Sequence, residues 1–253
     1  MRLMTKYVVG IIIFPFSVLS QNRREDLSLW TWLQFEKRLG NGQYAQFQYQ
    51  TRFNENISRF NRSNIYFIYG VNFLSHWQLE GIYQLNTNYE ADQHTFFAGL
   101  TYKQKVSSRI SLFYRTGFQT IRNYFTGDIR RDKPYAESRN RIRVKYKINN
   151  LFSTAISAEP YLKFSYDHPA YLSRIRYVSQ FNYRFNKYQT FSFFYMIEPD
   201  VICYSQPQTD YILGITYYFI FPNKVKGFKK LFKPKELSKD SGEEDEMLRD
   251  TYN

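Results

Sequence analysis

The chain has 253 residues and a net charge of +13, and aromatic residues make up 20% of it. Beyond residue 20 there is no apolar run of about eighteen residues, so membrane-spanning helices are excluded. The single cysteine, Cys203, excludes an internal disulfide framework. The basic residues fall at strand spacing without a nucleic-acid-binding motif, so no nucleic-acid partner is predicted.

Residues 1–20 have the pattern of a secretory signal. Arg2 and Lys6 give a positive start, positions 7–19 are almost wholly apolar, and 18–20 supply a cleavage site. The alternative is a membrane anchor, but the apolar run is shorter than the roughly 20 residues that a spanning helix needs. We therefore predict a cleaved signal peptide over 1–20.

From residue 27 onwards, apolar and polar side chains alternate in eleven stretches. Between 139 and 148 basic residues take every second position, with Ile, Val and Tyr between them. Successive residues of a strand point to opposite faces, so each stretch predicts a strand with one polar and one apolar face. The predicted strands are 27–38, 43–54, 62–74, 77–88, 94–105, 109–122, 138–149, 152–165, 172–186, 189–202 and 209–221.

The connections alternate between short turns, such as 40–42, and longer loops, the longest near 123–137. Bacterial barrels place short turns in the periplasm and long loops outside, so this asymmetry predicts and orients a transmembrane barrel. Eleven strands is an unexpected number, because single-chain bacterial barrels have even counts. Either a strand is missed or split, or the first strand starts at the outer end, and we predict about 10–12 strands.

The apolar strand faces are predicted to meet lipid. The last predicted strand ends at an aromatic residue, Phe221, which resembles the terminal-strand signal read by the outer-membrane assembly machinery. The predicted outward residues are Phe47, Tyr49, Phe53, Ile65, Phe67, Tyr69, Val71, Ile110, Leu112, Tyr114, Phe118, Ile175, Tyr177, Phe181, Tyr183, Phe185, Tyr211, Leu213, Ile215, Tyr217, Phe219 and Phe221.

The residues 223–253 form a charged tail, with eight Lys or Arg against seven Asp or Glu. Such composition predicts a solvated, disordered periplasmic segment that recruits a periplasmic protein partner. The alternative is that its basic half, 224–235, lies on the inner-leaflet surface, since Phe228, Leu231 and Phe232 are interleaved there.

The polar strand faces would line the lumen. Charges there must be hydrated or paired, because an isolated buried charge costs many kcal/mol. One interpretation is that Arg–Glu networks fill and stiffen a narrow lumen. The other is a positively charged passage or cup that attracts anions. The predicted lumen charges are Arg52, Arg62, Arg115, Arg139, Arg141, Arg143, Lys145, Lys147, Arg174, Arg176, Arg184, Glu36, Glu80, Glu159 and Glu198.

Glu159 is the centre of the predicted charge network, since its strand lies between two strands that carry R-x-R patterns. We predict that Glu159 faces inward and pairs with at least one of the flanking arginines, Arg141, Arg143, Arg174 and Arg176. Pro160 would then face outward and interrupt one ladder hydrogen bond, with a bulge or bend nearby. The predicted network is Arg139, Arg141, Arg143, Glu159, Arg174, Arg176 and Glu198.

Evidence for catalysis in the sequence is sparse. His76, His94 and His168 fall in predicted turns or loops without metal-ligand spacing, and no nucleophile elbow or phosphate-binding glycine loop occurs. We therefore assign no catalytic, metal-binding or cofactor-binding residues and predict no cofactor. An enzyme would need His94 or His168 to meet a serine and an acid at one rim of the barrel.

Several short segments resemble the domain of unknown function 2490 family, which comprises outer-membrane barrels of the Bacteroidetes group. The chain carries an R-x-R strand within 138–143, an E-P-aromatic strand at 158–161 and a second R-x-R at 174–176, in the family's order, and an early 30–37 segment also matches. The resemblance covers roughly residues 27–221. It implies the fold and an outer-membrane location, and it brings no activity.

Together these patterns predict an all-β, antiparallel transmembrane β-barrel over 21–222, in contact with outer-membrane lipid. The barrel would serve as a structural or binding module, or as a narrow, porin-like passage that favours anions. Two alternatives stay open. One is a barrel enzyme acting on lipid or surface polymer, and the other is a soluble exported all-β binding protein, which the same alternation permits.

Overall fold

The computed structural model describes residues 24–88, 92–123, 135–165, 168–201 and 208–222. The predicted fold class is confirmed, because these residues form eleven strands in one closed barrel. Each predicted strand is present, and the ends differ by four residues or fewer. The strands are β1 (Arg24–Gly40), β2 (Gln43–Asn54), β3 (Arg59–Leu74), β4 (Trp77–Thr87), β5 (Asp92–Lys105), β6 (Ile110–Asn123), β7 (Tyr135–Lys147), β8 (Phe152–Ser165), β9 (His168–Asn186), β10 (Gln189–Pro199) and β11 (Gln208–Phe221).

The predicted signal peptide, the charged tail and Cys203 lie outside the described residues. Within the described ranges, no helix has the length and apolar character needed to cross a membrane.

The barrel closes between its first and last strands. β1 pairs antiparallel with β2 and parallel with β11, in a register that runs from Arg24 opposite Gln208 to Lys37 opposite Phe221. A chain that reverses direction at every connection must close an odd number of strands with one parallel pair. The expectation of a wholly antiparallel barrel is therefore wrong at this seam. The strand number is eleven, and β1 begins at the end of the barrel that carries the longer loops.

We call that end the long-loop end and the other the short-turn end. The first short turn shows why the sequence bends where it does. Gly40, Asn41 and Gly42 have φ values of 95°, 51° and 74°, a region that glycine and asparagine tolerate best. A Cβ on Gly42 would also lie 2.5 Å from the carbonyl oxygen of Asn72. The turn thus depends on glycine for conformation and for space.

The two faces of the strands are separated as the alternation predicts. Phe67, Phe118 and Ile142 point outward and are 54%, 62% and 56% exposed. Rings on neighbouring strands contact one another on this surface, with 5.5 Å between the ring centroids of Phe47 and Phe67. The inward face is polar, and amides such as Gln50 and Gln78 are completely buried. The barrel is therefore apolar outside and polar inside.

Pro160 interrupts pairing at the predicted place. The β7–β8 ladder pairs Arg139 with Tyr161 and Ile142 with Ala158, and the register skips the two positions between them. Proline lacks the amide hydrogen that a ladder bond needs. The nearby irregularity lies on the other side of the strand, where the β8–β9 register shifts between Tyr161 and Leu162.

Candidate functional site

A cavity of about 620 Å³ occupies the long-loop half of the barrel, and we call it the cup. Seven arginines and four carboxylates line it. Two further buried carboxylates, Glu80 and Glu137, pair with arginines of this lining, so the group as a whole has a surplus of one positive charge. Low-dielectric walls around such a surplus concentrate its field on the cavity. The charged lining residues are Arg52, Arg62, Arg115, Arg139, Arg141, Arg174, Arg176, Asp26, Glu159, Glu198 and Asp210.

Glu159 balances two of these arginines. Its Oε1 accepts hydrogen bonds from Arg115 Nη2 at 2.7 Å and from Arg139 Nε at 3.0 Å. Arg115 also reaches Glu80 Oε1 at 3.4 Å. Glu159 faces inward as predicted. Of its predicted partners, Arg141 and Arg176 act on it electrostatically, and Arg115 and Arg139 form the hydrogen bonds given above. Arg115 comes from β6, two strands away from β8, and reaches over β7 on the concave inner wall.

A second group of ion pairs adjoins the first. Glu198 Oε2 accepts from Arg176 Nε at 2.6 Å, and Glu198 Oε1 lies 3.6 Å from Arg174 Nε. Arg174 Nη2 also donates to Glu137 Oε2 at 3.1 Å. The amide of Gln119 joins the groups, because it donates to Glu137 at 2.6 Å and accepts from Arg139 at 3.1 Å. One network of hydrogen bonds and ion pairs thus runs from β4 to β10.

Tyr161 lies at the centre of this network and is only 1% exposed. Its ring is faced by the guanidinium carbons of Arg174 at 4.2 Å, Arg139 at 4.9 Å and Arg176 at 5.2 Å from the centroid. Its hydroxyl donates to Glu159 Oε2 at 3.4 Å. The negative face of the ring attracts cations, so Tyr161 helps to hold three arginines close together.

Arg52 and Arg62 have a different environment. They lie directly opposite each other on β2 and β3, and both line the cup. Arg52 Nε donates to Gln50 Oε1 at 2.9 Å, and Arg62 Nε donates to Asn61 Oδ1 at 3.4 Å. Among the described residues, neither guanidinium forms an ion pair with a carboxylate. The guanidinium carbon of Arg52 stands 3.8 Å over the ring of Trp30.

Next to these arginines the cup has an apolar wall. Trp30, Phe194, Met196 and Ile212 form a buried cluster, and Trp32 and Val178 pack against it. All six line the cup, and Trp32 and Val178, which are only partly buried, present the accessible part of this apolar surface. The wall spans β9, β10, β11 and β1, on both sides of the parallel seam.

A second, much smaller cavity of about 30 Å³ lies at the short-turn end, where Lys145, Gln180 and Arg184 line it. Buried inward side chains fill the barrel between the two cavities, and we call them the belt. At its upper side Glu80 contacts Arg115 of the cup, and at its lower side Arg143 Nη2 donates to Gln180 Oε1 at 2.9 Å. The belt comprises Gln78, Glu80, Thr101, Phe113, Arg143 and Thr216.

The structure brings most of the predicted network into one place. Six of its seven residues line the cup, and Arg143 belongs to the belt. The six are Arg139, Arg141, Arg174, Arg176, Glu159 and Glu198.

Three residues of the cup and its network, Glu137, Tyr161 and Trp30, were not predicted from the sequence as inward groups. Glu137 fell within a predicted loop, because β7 begins three residues earlier than expected. Strand parity could have found Tyr161 from Glu159 and Trp30 from Glu36, since each pair differs by an even number of residues.

His76 and His94 lie away from the cup. His94 is on the outer face of β5, where its Nδ1 is 2.8 Å from the hydroxyl of Tyr83. His76 lies in a short turn with its Nδ1 3.0 Å from the backbone oxygen of Lys103. The side chain of His168 is outside the described part of the structure. Within that part, no three His, Cys, Asp or Glu residues are grouped as metal ligands.

Comparisons with known proteins give a fold and no family. No protein-family model matches the chain, and no curated protein is similar to it. Among solved structures, a chain described as the NanC porin in a rhombohedral crystal form is similar to this one, with a TM-score of 0.50 and 14% sequence identity. The match covers 77% of this chain and 98% of the porin chain. At that identity the likeness shows that the two chains share a barrel fold.

Proposed function

We propose that the protein is a bacterial outer-membrane barrel whose cup binds anionic solutes. The observation that carries this is that two of the seven arginines lining the cavity, Arg52 and Arg62, form no ion pair with a carboxylate among the described residues. Rings of arginine or lysine favour anions in pores and binding sites for the same electrostatic reason. The negative groups present hold arginines in place, and the remaining positive charge is available to a ligand.

The outer surface supports the membrane location. Large apolar side chains such as Phe67, Phe118 and Ile142 are exposed around the barrel, as they are where strands meet acyl chains. The barrel fold is also one that a porin adopts. In this orientation the long-loop end faces outward, so the cup opens to the outside of the cell. The tail that follows β11 then lies in the periplasm, where it would meet a protein partner. Membership of the domain of unknown function 2490 family is part of the same proposal.

The belt favours a binding cup over an open pore. Its side chains are at most 4% exposed and separate the cup from the small cavity at the short-turn end. A narrow passage for anions is the second candidate, because Lys145 and Arg184 continue the positive lining into that lower cavity. Conduction would require the belt to move.

Equilibrium binding with charge-matched probes tests the proposal. The full chain is purified from outer membranes, incorporated into lipid nanodiscs and titrated by calorimetry with citrate and, separately, with spermidine. We expect citrate to bind, with an affinity that falls as salt is added, and spermidine not to bind. Binding of spermidine alone, or of neither probe, would contradict the proposal. Planar-bilayer recording with a KCl gradient then separates a closed cup from a passage, which would conduct with a reversal potential set by chloride.

A further inference from the structure

Six of the seven arginines of the cup divide into two sets by what already neutralises them. Arg115, Arg139, Arg174 and Arg176 each form an ion pair with Glu80, Glu137, Glu159 or Glu198 at 3.6 Å or less. Arg52 and Arg62 bond to neutral amides, and within the described residues neither forms an ion pair with a carboxylate; Glu198 acts on Arg52 electrostatically, but from beyond ion-pair distance. An added anion would bind most readily at Arg52 and Arg62, since it need not displace a protein carboxylate there.

The placement of Arg52 opposite Arg62 strengthens this point. Like charges directly across from each other on one face of a sheet are destabilising. A carboxylate, sulfate or phosphate group between them would relieve the repulsion and accept several charge-assisted hydrogen bonds. The pair therefore has the charge and the geometry of an anion-binding site.

The apolar wall of the cup directly adjoins this arginine pair. Arg52 stands on the face of Trp30 at 3.8 Å, and Trp30 belongs to the cluster that includes Phe194, Met196 and Ile212. Trp32 and Val178 extend the cluster and are only partly buried, so they present apolar surface to the cavity. A small inorganic anion would leave that surface in contact with water, whereas a ligand with an apolar part would cover it.

We infer that the ligand of the cup is an organic anion with an apolar body, its charged group between Arg52 and Arg62 and its body on the wall of Trp32, Val178, Phe194, Met196 and Ile212. This inference rests on the proposed anion-binding function and specifies the chemical class of the solute. A cavity of about 620 Å³ has room for a molecule of several carbon atoms beside the charged group.

A chain-length series tests the apolar part. The full chain in nanodiscs is titrated by calorimetry with acetate, butyrate and hexanoate, with empty nanodiscs as the blank. We expect affinity to rise about fourfold for each added methylene, the factor that burial of one such group gives. Hexanol and hexylammonium should bind at least tenfold more weakly than hexanoate. Equal affinities for acetate and hexanoate would overturn the inference while leaving anion binding intact, and absence of binding by every anion would overturn both.

Two variants locate the parts of the site. Arg52→Gln with Arg62→Gln should weaken hexanoate binding at least tenfold, while Arg109→Gln, in an exposed short turn, should leave it unchanged. Val178→Thr keeps the side-chain shape and replaces one methyl group by a hydroxyl, so it should flatten the chain-length series without changing the affinity for acetate. Unchanged hexanoate binding by the double arginine variant would overturn the assignment of the charged group. If that variant does not fold, the affinities of the unsubstituted protein for hexanoate, hexanol and hexylammonium test whether the site requires a negatively charged group.

Discussion

Glu159 is the residue on which the buried charges of the lumen depend most directly. Its side chain is 3% exposed and that of Arg115 is 4% exposed, so water screens their contact little. Removing one partner of such a pair leaves an uncompensated buried charge, which costs more than the pair itself contributes. The same carboxylate also neutralises Arg139, so its loss would leave two guanidinium groups without that counter-charge.

We predict that Glu159→Gln lowers the free energy of unfolding by about 3–5 kcal/mol, the range for a broken buried ion pair. Urea unfolding in detergent micelles, followed by tryptophan fluorescence, measures this change. Glu55→Gln is the matched control, because Glu55 pairs with Arg59 at 3.0 Å on an exposed loop. Its effect should stay below about 1 kcal/mol. Equal effects of the two substitutions would show that the lumen is hydrated like the surface.

The sequence predicted the direction of Glu159 but not its contact with Arg115, for a physical reason. Direction follows from parity along one strand, which the sequence displays. Pairing inside a barrel depends on curvature and strand tilt, which bring long side chains from non-adjacent strands together. Arg115 reaches Glu159 across an intervening strand in this way, and no local sequence pattern predicts that contact.

At the scale of the strand, β11 shows how space is made for rings inside the barrel. Gly214 is paired with Phe194 of β10, and the Phe194 ring lies where a side chain on Gly214 would be. Trp30 of β1 is the neighbour of Gly214 on the other side of the seam. The glycine thus lets the apolar wall pack flat against the inner surface at the point where the barrel closes.

We predict that Gly214→Ala lowers the free energy of unfolding by about 1–3 kcal/mol, because the added methyl group must displace the ring of Phe194. Gly81→Ala is the matched control, since a Cβ there would meet nothing within 4 Å. It should be neutral or stabilising by up to about 1 kcal/mol, through a smaller entropy of the unfolded chain. Unfolding curves of both variants under the same conditions provide the comparison, and an unaffected Gly214→Ala protein would contradict the packing described here.

The strands themselves were largely predictable, and their ends were not. The two-residue period persists over eleven stretches and leaves few other interpretations. The end of a strand depends on how far its backbone hydrogen bonding continues into the loop, and this is set by the neighbouring strand. β7 begins at Tyr135 because it pairs with Ile121 of β6, and this extension brings Glu137 into the network.

For the whole molecule, the odd strand number determines how the barrel closes and where its ends lie. β1 starts at the long-loop end and β11 finishes at the short-turn end, so the first strand begins and the last strand ends on opposite sides of the barrel. Composition and periodicity predicted a barrel without deciding the seam, because a strand pattern is the same whether its neighbour runs parallel or antiparallel. The parallel pairing of β1 with β11 is therefore the feature of the fold to which the next prediction applies.

Engineered disulfides test the seam. Leu29 and Leu213 are directly opposite in the parallel register of β1 and β11, so cysteines there would lie at bonding distance. In a Cys203→Ser background, we predict that Leu29→Cys with Leu213→Cys forms an intramolecular disulfide in nearly all folded molecules. A mobility shift on non-reducing gels, abolished by reductant, measures it. Leu29→Cys with Tyr217→Cys is the control, because four further residues place those sulfurs about 13 Å apart along the strand, and this pair should stay unlinked. A folded barrel in which the first pair stays reduced would show that β1 does not close on β11, and since the apolar wall of the cup spans this seam, it would remove one side of the proposed binding site as well.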